Sequence, residues 1–196
     1  MDRPRDVALP PVRHRVVSAP DRRSMEAERA IRVRVDDLAF ATGDAIAWPV
    51  TADLRATTPL LLRLATAGGE QLTSQLRVQD ALPIGSAVVT GAGTLAVELL
   101  VNAVISSDDE PVSESGVRRA LRSALQRSAD WQIEHLVCAP FGLGAGNLDL
   151  EDSAAIMTEV ITGHLAQARF PAIVTIIVET PLEEEVFRST LARVVS

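Results

Sequence analysis

Lysine is missing from this sequence, so all 19 basic side chains are arginines. That absence excludes a Walker-type phosphate loop, which needs a lysine directly after its glycines. The arginines leave a rigid guanidinium fork for any phosphate that is held, although genomic codon bias accounts for the composition as well. A single cysteine, Cys138, excludes an intrachain disulfide, and nothing in the chain signals an oxidising compartment. Within "LVCAP" this thiol reads as an inert small hydrophobe rather than a nucleophile. Aromatic residues make up only 3% of the chain, and Trp48 and Trp131 read as core or interface anchors rather than base-stacking platforms. No apolar run reaches membrane-spanning length, and the N-terminus lacks a signal-type apolar core, so a soluble cytoplasmic protein is expected. The net charge of −7 supplies no general attraction for nucleic acid or acidic membranes, and neither is expected as a partner. His14, His135 and His164 lie scattered without metal-ligand spacing, so neither a metal nor a cofactor is expected.

What is present reads as an arm and one domain. Residues 1–29 interleave Pro4, Pro10, Pro11 and Pro20 with charges, which argues against a regular element. Residues 30–196 alternate strand and helix patterns. "IRVRV" has the period of a half-exposed strand, and "AIAWPV" reads as a more buried one. "TTPLLLRLATAGGEQLTSQLRVQ" is helical, with Pro59 in a first turn and a break at Gly68 and Gly69. "SAVVTGAG" and "LLVNAVIS" follow as strands, and "SESGVRRALRSALQRSADWQ" as an amphipathic helix. "HLVCAP", "LEDSAAIMTEVITGHLAQA", "AIVTIIVE" and "LEEEVFRSTLARVV" complete a strand–helix–strand–helix series. The expectation is an α/β sandwich with helices on both faces of a largely parallel or mixed sheet.

The turn "CAPFGLGAGN" leaves a strand at the edge where such sheets bind ligands. It matches no dinucleotide fingerprint, because Asn147 and Leu148 stand where the third glycine belongs. Two readings stay open. Gly142, Gly144 and Gly146 present backbone N–H groups to a diphosphate, or the segment is a tight connection capped by Asn147 or Asp149.

The segments "RVRVDDLAF", "GDAIAWPVTADL", "LATAGGEQL", "LPIGSAVVTGAG", "LLVNAVIS", "HLVCAPFGLGAGNLDLEDSAAIM" and "IVTIIVETPLEEEVF" together resemble a divergent macro domain, the family that binds ADP-ribose. The resemblance runs from Ile31 to Val194. It implies a three-layer α/β/α sandwich around a mixed, roughly six-stranded sheet. Asp37 is similar to the family's aspartate that accepts from the adenine amino group, and Leu38 to the neighbour whose backbone contacts the base. The loop of Gly142, Leu143, Gly144, Ala145, Gly146 and Asn147 resembles the one that cradles the diphosphate and distal ribose.

The sequence also departs from that pattern. Hydrolytic members carry "NAAN" and then "GGG", whereas this chain has Trp48, Pro49, Val50 and Thr51 followed by "ADLRATTPL". Asn102 stands where the family often has a histidine. Thr51, with Asp53, is a minimal polar pair there, or else a turn and an N-cap. The expected function is therefore binding of ADP-ribose or a related nucleotide diphosphate, without hydrolase activity. The alternative is a degenerate fold serving interaction or assembly, homo-oligomerisation included.

Overall fold

The structure, a computed structural model, describes residues 30–77, 79–146 and 148–195, so the arm at residues 1–29, with His14, and Asn147 in the glycine loop lie outside the described residues. Six strands form one sheet: β1 (Ile31–Val35), β2 (Ala45–Thr51), β3 (Ala87–Gly91), β4 (Leu99–Ser106), β5 (His135–Cys138) and β6 (Ile173–Val178). Their spatial order is β1-β6-β5-β2-β4-β3. All neighbours run parallel except β3 and β4, so the sheet is mixed.

Five helices cover it: α1 (Pro59–Ala67), α2 (Gly69–Arg77), α3 (Glu114–Asp130), α4 (Leu150–Leu165) and α5 (Pro181–Val195). One core packs α3, α4 and α5 through Val117, Leu121, Met157, Ile161 and Phe187 onto β-strand residues such as Leu136 and Val174. The opposite core packs α1 and α2 through Leu61, Leu64, Leu72 and Leu76 onto Ile46, Trp48, Leu100 and Val104. This is the expected α/β/α sandwich, with the helical break at Gly68 separating α1 from α2.

Local chemistry sets these boundaries. In β1 the alternation "IRVRV" buries Ile31 and Val33 on the covered face and leaves Arg32 and Arg34 exposed on the other. Helix α1 begins because the Thr58 hydroxyl accepts from Leu61 N–H at 3.3 Å, with Pro59 at N1, where its missing donor costs nothing. Ser113 caps α3 in the same way at 3.2 Å, and Asp149 caps α4 at 2.8 Å. Asp44 fastens β2 to β5 by accepting from Glu134 and His135 N–H at 3.0 and 2.9 Å.

Candidate functional site

The carboxyl ends of β2, β5 and β6 lie together at one edge of the sheet, and a cleft of about 330 Å3 opens there. Its first wall is the glycine loop after β5. Phe141 roots this loop, fully buried, with its N–H on the Met157 sulfur at 3.2 Å and its carbonyl accepting from the Ser153 hydroxyl at 2.8 Å. Beyond it the chain turns through positive φ, +82° at Gly142 and +70° at Gly144. A Cβ at Gly142 would stand 2.6 Å from the movable Leu148 Cδ1, and the positive φ there is what favours glycine where the loop folds back on itself. At Gly144 the missing Cβ points across the cleft, meeting only Thr58 Cγ2 at 3.7 Å.

Thr58 and the start of α1 make the second wall. A helix N-terminus attracts anions through its free N–H groups, but this one has few to offer. Pro59 has none and the Thr58 hydroxyl occupies that of Leu61, so Leu60 is the remaining donor of the first turn. Asp149, Glu151 and Asp152 likewise supply negative charge to the start of α4 from within the chain.

The third wall is the entry to α5. Thr180 and Glu183 form a capping box: Glu183 Oε2 accepts from Glu179 and Thr180 N–H at 2.7 and 3.1 Å, and Thr180 Oγ1 accepts from Glu183 N–H at 3.2 Å. Arg63 on α1 reaches Glu179 at 2.6 Å, joining two walls. Both side chains are about half exposed, so the pair contributes about 0–1 kcal/mol. The lining thus carries one guanidinium against two carboxylates.

Of the residues expected from the sequence, Leu143 and Gly144 line the cleft, while Ala145 packs onto the main core. Asp37 and Leu38 lie outside the lining. Asp37 is exposed and caps the turn Leu38–Phe40, accepting from Ala39 N–H at 2.9 Å. Leu38 is fully buried, and its carbonyl already accepts from Ala41 N–H at 3.3 Å. The turn nonetheless sits at the same sheet edge, since Asp36 N–H bonds Val178 O at 3.2 Å, beside Glu179.

The hydroxyl of Thr51 accepts from Arg55 N–H at 3.1 Å and closes a turn. Arg55 holds Asp53 and Asp108 at 3.2 and 2.8 Å, so that polar pair serves the turn, and the N-cap of α1 is Thr58 instead. Thr58, Arg63, Glu179 and Glu183 also line the cleft and are not among the residues expected from the sequence. "TTPL" and "TPLE" both carry a legible capping signature; the pairing of Arg63 with Glu179 does not.

Trp48 does not enter the cleft. It is wholly buried, and its Nε1–H donates to Asn102 Oδ1 at 2.6 Å. It borders a second, mainly apolar cavity of about 870 Å3 that is lined by residues including Leu54, Leu62 and Leu76 and shares Thr58 and Pro59 with the cleft.

Cys138 is also wholly buried, and burial pushes its thiol up to about 12. The thiolate is the nucleophile, so at pH 8 the folded protein should not react with a thiol reagent such as dithionitrobenzoate, whereas unfolding should release one equivalent. Rapid labelling of the native chain would contradict this packing. Among the described residues no three histidine, cysteine or acidic side chains group as a metal site. None of the described helices is long and apolar enough to cross a membrane.

Comparison with known proteins gives this cleft its context. An uncharacterized protein of Aquifex aeolicus is 35% identical over 96 residues, 48% of this chain and 58% of that protein. An uncharacterized protein of Mycobacterium tuberculosis is 26% identical over 121 residues, 62% of this chain and 34% of that one. The chain therefore spans only about a third to three fifths of these relatives. Among solved structures, a mutant Oceanobacillus iheyensis macrodomain with ADPR superposes with a TM-score of 0.75 at 15% identity, covering 82% of this chain and 91% of that one. The macro domain family model matches residues 58–157, from the Thr58 wall through the glycine loop to Met157. With half of its length matched by that model, and with this sheet and these helices around it, the chain belongs to the macro domain family.

Proposed function

We propose that the cleft binds ADP-ribose or a related nucleotide diphosphate and does not hydrolyse it. The observation that carries this reading is the open space between Gly144 and Thr58, which Trp48 leaves unfilled. Its volume of about 330 Å3 lies at the small end of the range for small-molecule sites, roughly 300–1,000 Å3. The phosphates lie over the loop from Gly142 to Asn147, where main-chain groups act without regard to side-chain divergence. The base extends along the sheet edge towards Asp37, whose second carboxylate oxygen accepts from the adenine amino group, and towards the Leu38 main chain. Hydrolysis requires a placed water and groups that orient the distal ribose, and Trp48 and Thr51 are both committed to other bonds.

A second reading, an interaction or assembly domain without nucleotide, draws on the excess of carboxylates in the lining and the sparse donors of α1. Calorimetric titration with ADP-ribose separates the two. Under the binding reading it gives a saturable signal, and Asp37→Ala weakens it about tenfold, the scale of one lost charge-assisted hydrogen bond. A folded protein that takes up no ADP-ribose favours the interaction role, and release of ADP-ribose from a modified protein would refute the non-hydrolytic part.

A further inference from the structure

A second charged feature lies outside this cleft, along the outer edge of β1, which pairs with no further strand among the described residues. Residues 30–196 hold 12 arginines against 21 aspartates and glutamates, so a concentration of positive charge anywhere on this body runs against its overall sign. Yet a groove of about 570 Å3 is bordered by Arg32, Arg34, Arg188, His135, Thr42 and Thr175, with no carboxylate in its lining among the described residues. The alternation of β1 explains the arrangement. Arg32 pairs in register with Thr175, and Thr175 Oγ1 and His135 Nε2 stand 2.8 Å apart. Asp36 N–H turns inward to β6, so by the two-residue period Val33 turns its N–H and C=O to the open edge. There Arg188 Nη2 donates to Val33 O at 3.2 Å, which brings a third guanidinium to the edge.

These cations are only lightly engaged. Arg34 meets Asp36 at 2.8 Å and Arg188 meets Glu184 at 2.6 Å, with all four side chains in solvent contact. Such exposed pairs are readily given up to a more highly charged ligand. Arg32 has no carboxylate within 4.0 Å among the described residues. A carboxylate would satisfy one guanidinium fork. A phosphoryl group brings more acceptor oxygens and nearly two charges, and so can engage two forks, the Val33 N–H and a hydroxyl together.

We infer that this edge groove is a second binding site, separate from the cleft, for an anion bearing a phosphoryl group. His135 reports on it from within. Its pKa is lowered first by partial burial and then by Arg32 and Arg34, while Asp44 opposes them. A bound dianion offsets the arginines and so raises the pH at which the imidazole titrates.

The test uses the full chain and follows amide and imidazole resonances by NMR. Inorganic phosphate and glycerol phosphate are titrated separately, against sodium chloride of equal ionic strength and a short glutamate-rich peptide. The expected result is saturable movement of the Arg32, Val33 and His135 signals with a phosphoryl compound, an upward shift of the His135 titration, and an unmoved Gly144 amide. Response to both compounds places recognition in the phosphate itself, and response to glycerol phosphate alone makes an ester the ligand. Arg32→Gln, an exposed change, should weaken the effect about tenfold and raise the His135 titration even without anion. Shifts no greater than with chloride, shifts insensitive to Arg32→Gln, or binding of the acidic peptide alone would overturn the site. Because Gly144 is read in the same spectra, this outcome is independent of whether the cleft binds nucleotide.

Discussion

Gly144→Glu abolishes ADP-ribose binding, with a loss of about 100-fold or more, while the protein stays folded. The backbone at Gly144 has φ of +70°, a conformation that costs an L-residue about 1–2 kcal/mol. In a chain of this size that lowers Tm by roughly 2–8 °C, a tolerable change. The binding effect has a different origin. The new side chain departs towards Thr58, across a gap that a Cβ alone fills to 3.7 Å, so the remaining atoms must occupy the cleft. It also adds a third carboxylate to Glu179 and Glu183, with only Arg63 to oppose them. Two like charges about 4 Å apart repel by about 4 kcal/mol at the effective dielectric near a protein surface, and solvent screening leaves enough of this for a 100-fold loss.

Gly144→Ala supplies the control. It carries the same backbone penalty but stops at ordinary van der Waals distance from Thr58, so affinity should change by no more than a few-fold. Calorimetry and thermal denaturation on both variants give the answer. Unchanged binding by the glutamate variant would remove the glycine loop from the site. Equal loss in both would assign the effect to backbone strain instead of occupancy.

The parts of this molecule that local chemistry determines were legible before the structure. The alternation in "IRVRV", the arginine face of α3 and the proline at the start of α1 each report a neighbourhood of a few residues, and each element lies where its pattern places it. The glycine loop was legible for the same reason, since its positive φ angles come from residues adjacent in sequence. The facing wall was not. Arg63 and Glu179 meet across 116 positions because β6 lies beside β5 in the sheet, and nothing local to either residue announces that order. Glu183 lies in the first turn of a helix, but its place on the cleft follows from the same adjacency. Asp37 and Leu38, expected from the resemblance, lie at the same edge of the sheet as the cleft, but no local pattern announces that Leu38 is wholly buried. Trp48 is the core anchor that its sequence suggests, whereas its hydrogen-bond partner Asn102, 54 residues away, is announced by nothing local.

That pairing yields the largest stability effect expected. Trp48→Ala should destabilise the protein by about 3–5 kcal/mol, since a fully buried indole is removed from a close-packed core. Tm then falls by roughly 6–20 °C. The packing term and the hydrogen bond separate in a double-mutant cycle. Trp48→Phe keeps most of the ring and leaves Asn102 Oδ1 buried without its donor. Asn102→Leu strands the indole N–H, and also removes the bonds from Asn102 Nδ2 to Val88 O at 3.2 Å and Thr90 Oγ1 at 3.0 Å. Each single change should cost about 1–3 kcal/mol in unpaired polar groups, beyond any change in packing. In the double variant the indole N–H and the Asn102 oxygen are absent together, so its cost should fall short of the sum by about 1–2 kcal/mol. Strict additivity would mean that the 2.6 Å bond contributes nothing net and that Trp48 is held by burial alone. Binding supplies the discriminating second readout. Trp48 borders the apolar cavity and not the cleft, so Trp48→Phe should leave ADP-ribose affinity unchanged at temperatures where the variant is folded. An affinity that fell in step with stability would instead make the indole a support of the Thr58 wall, coupled to the ligand through the start of α1.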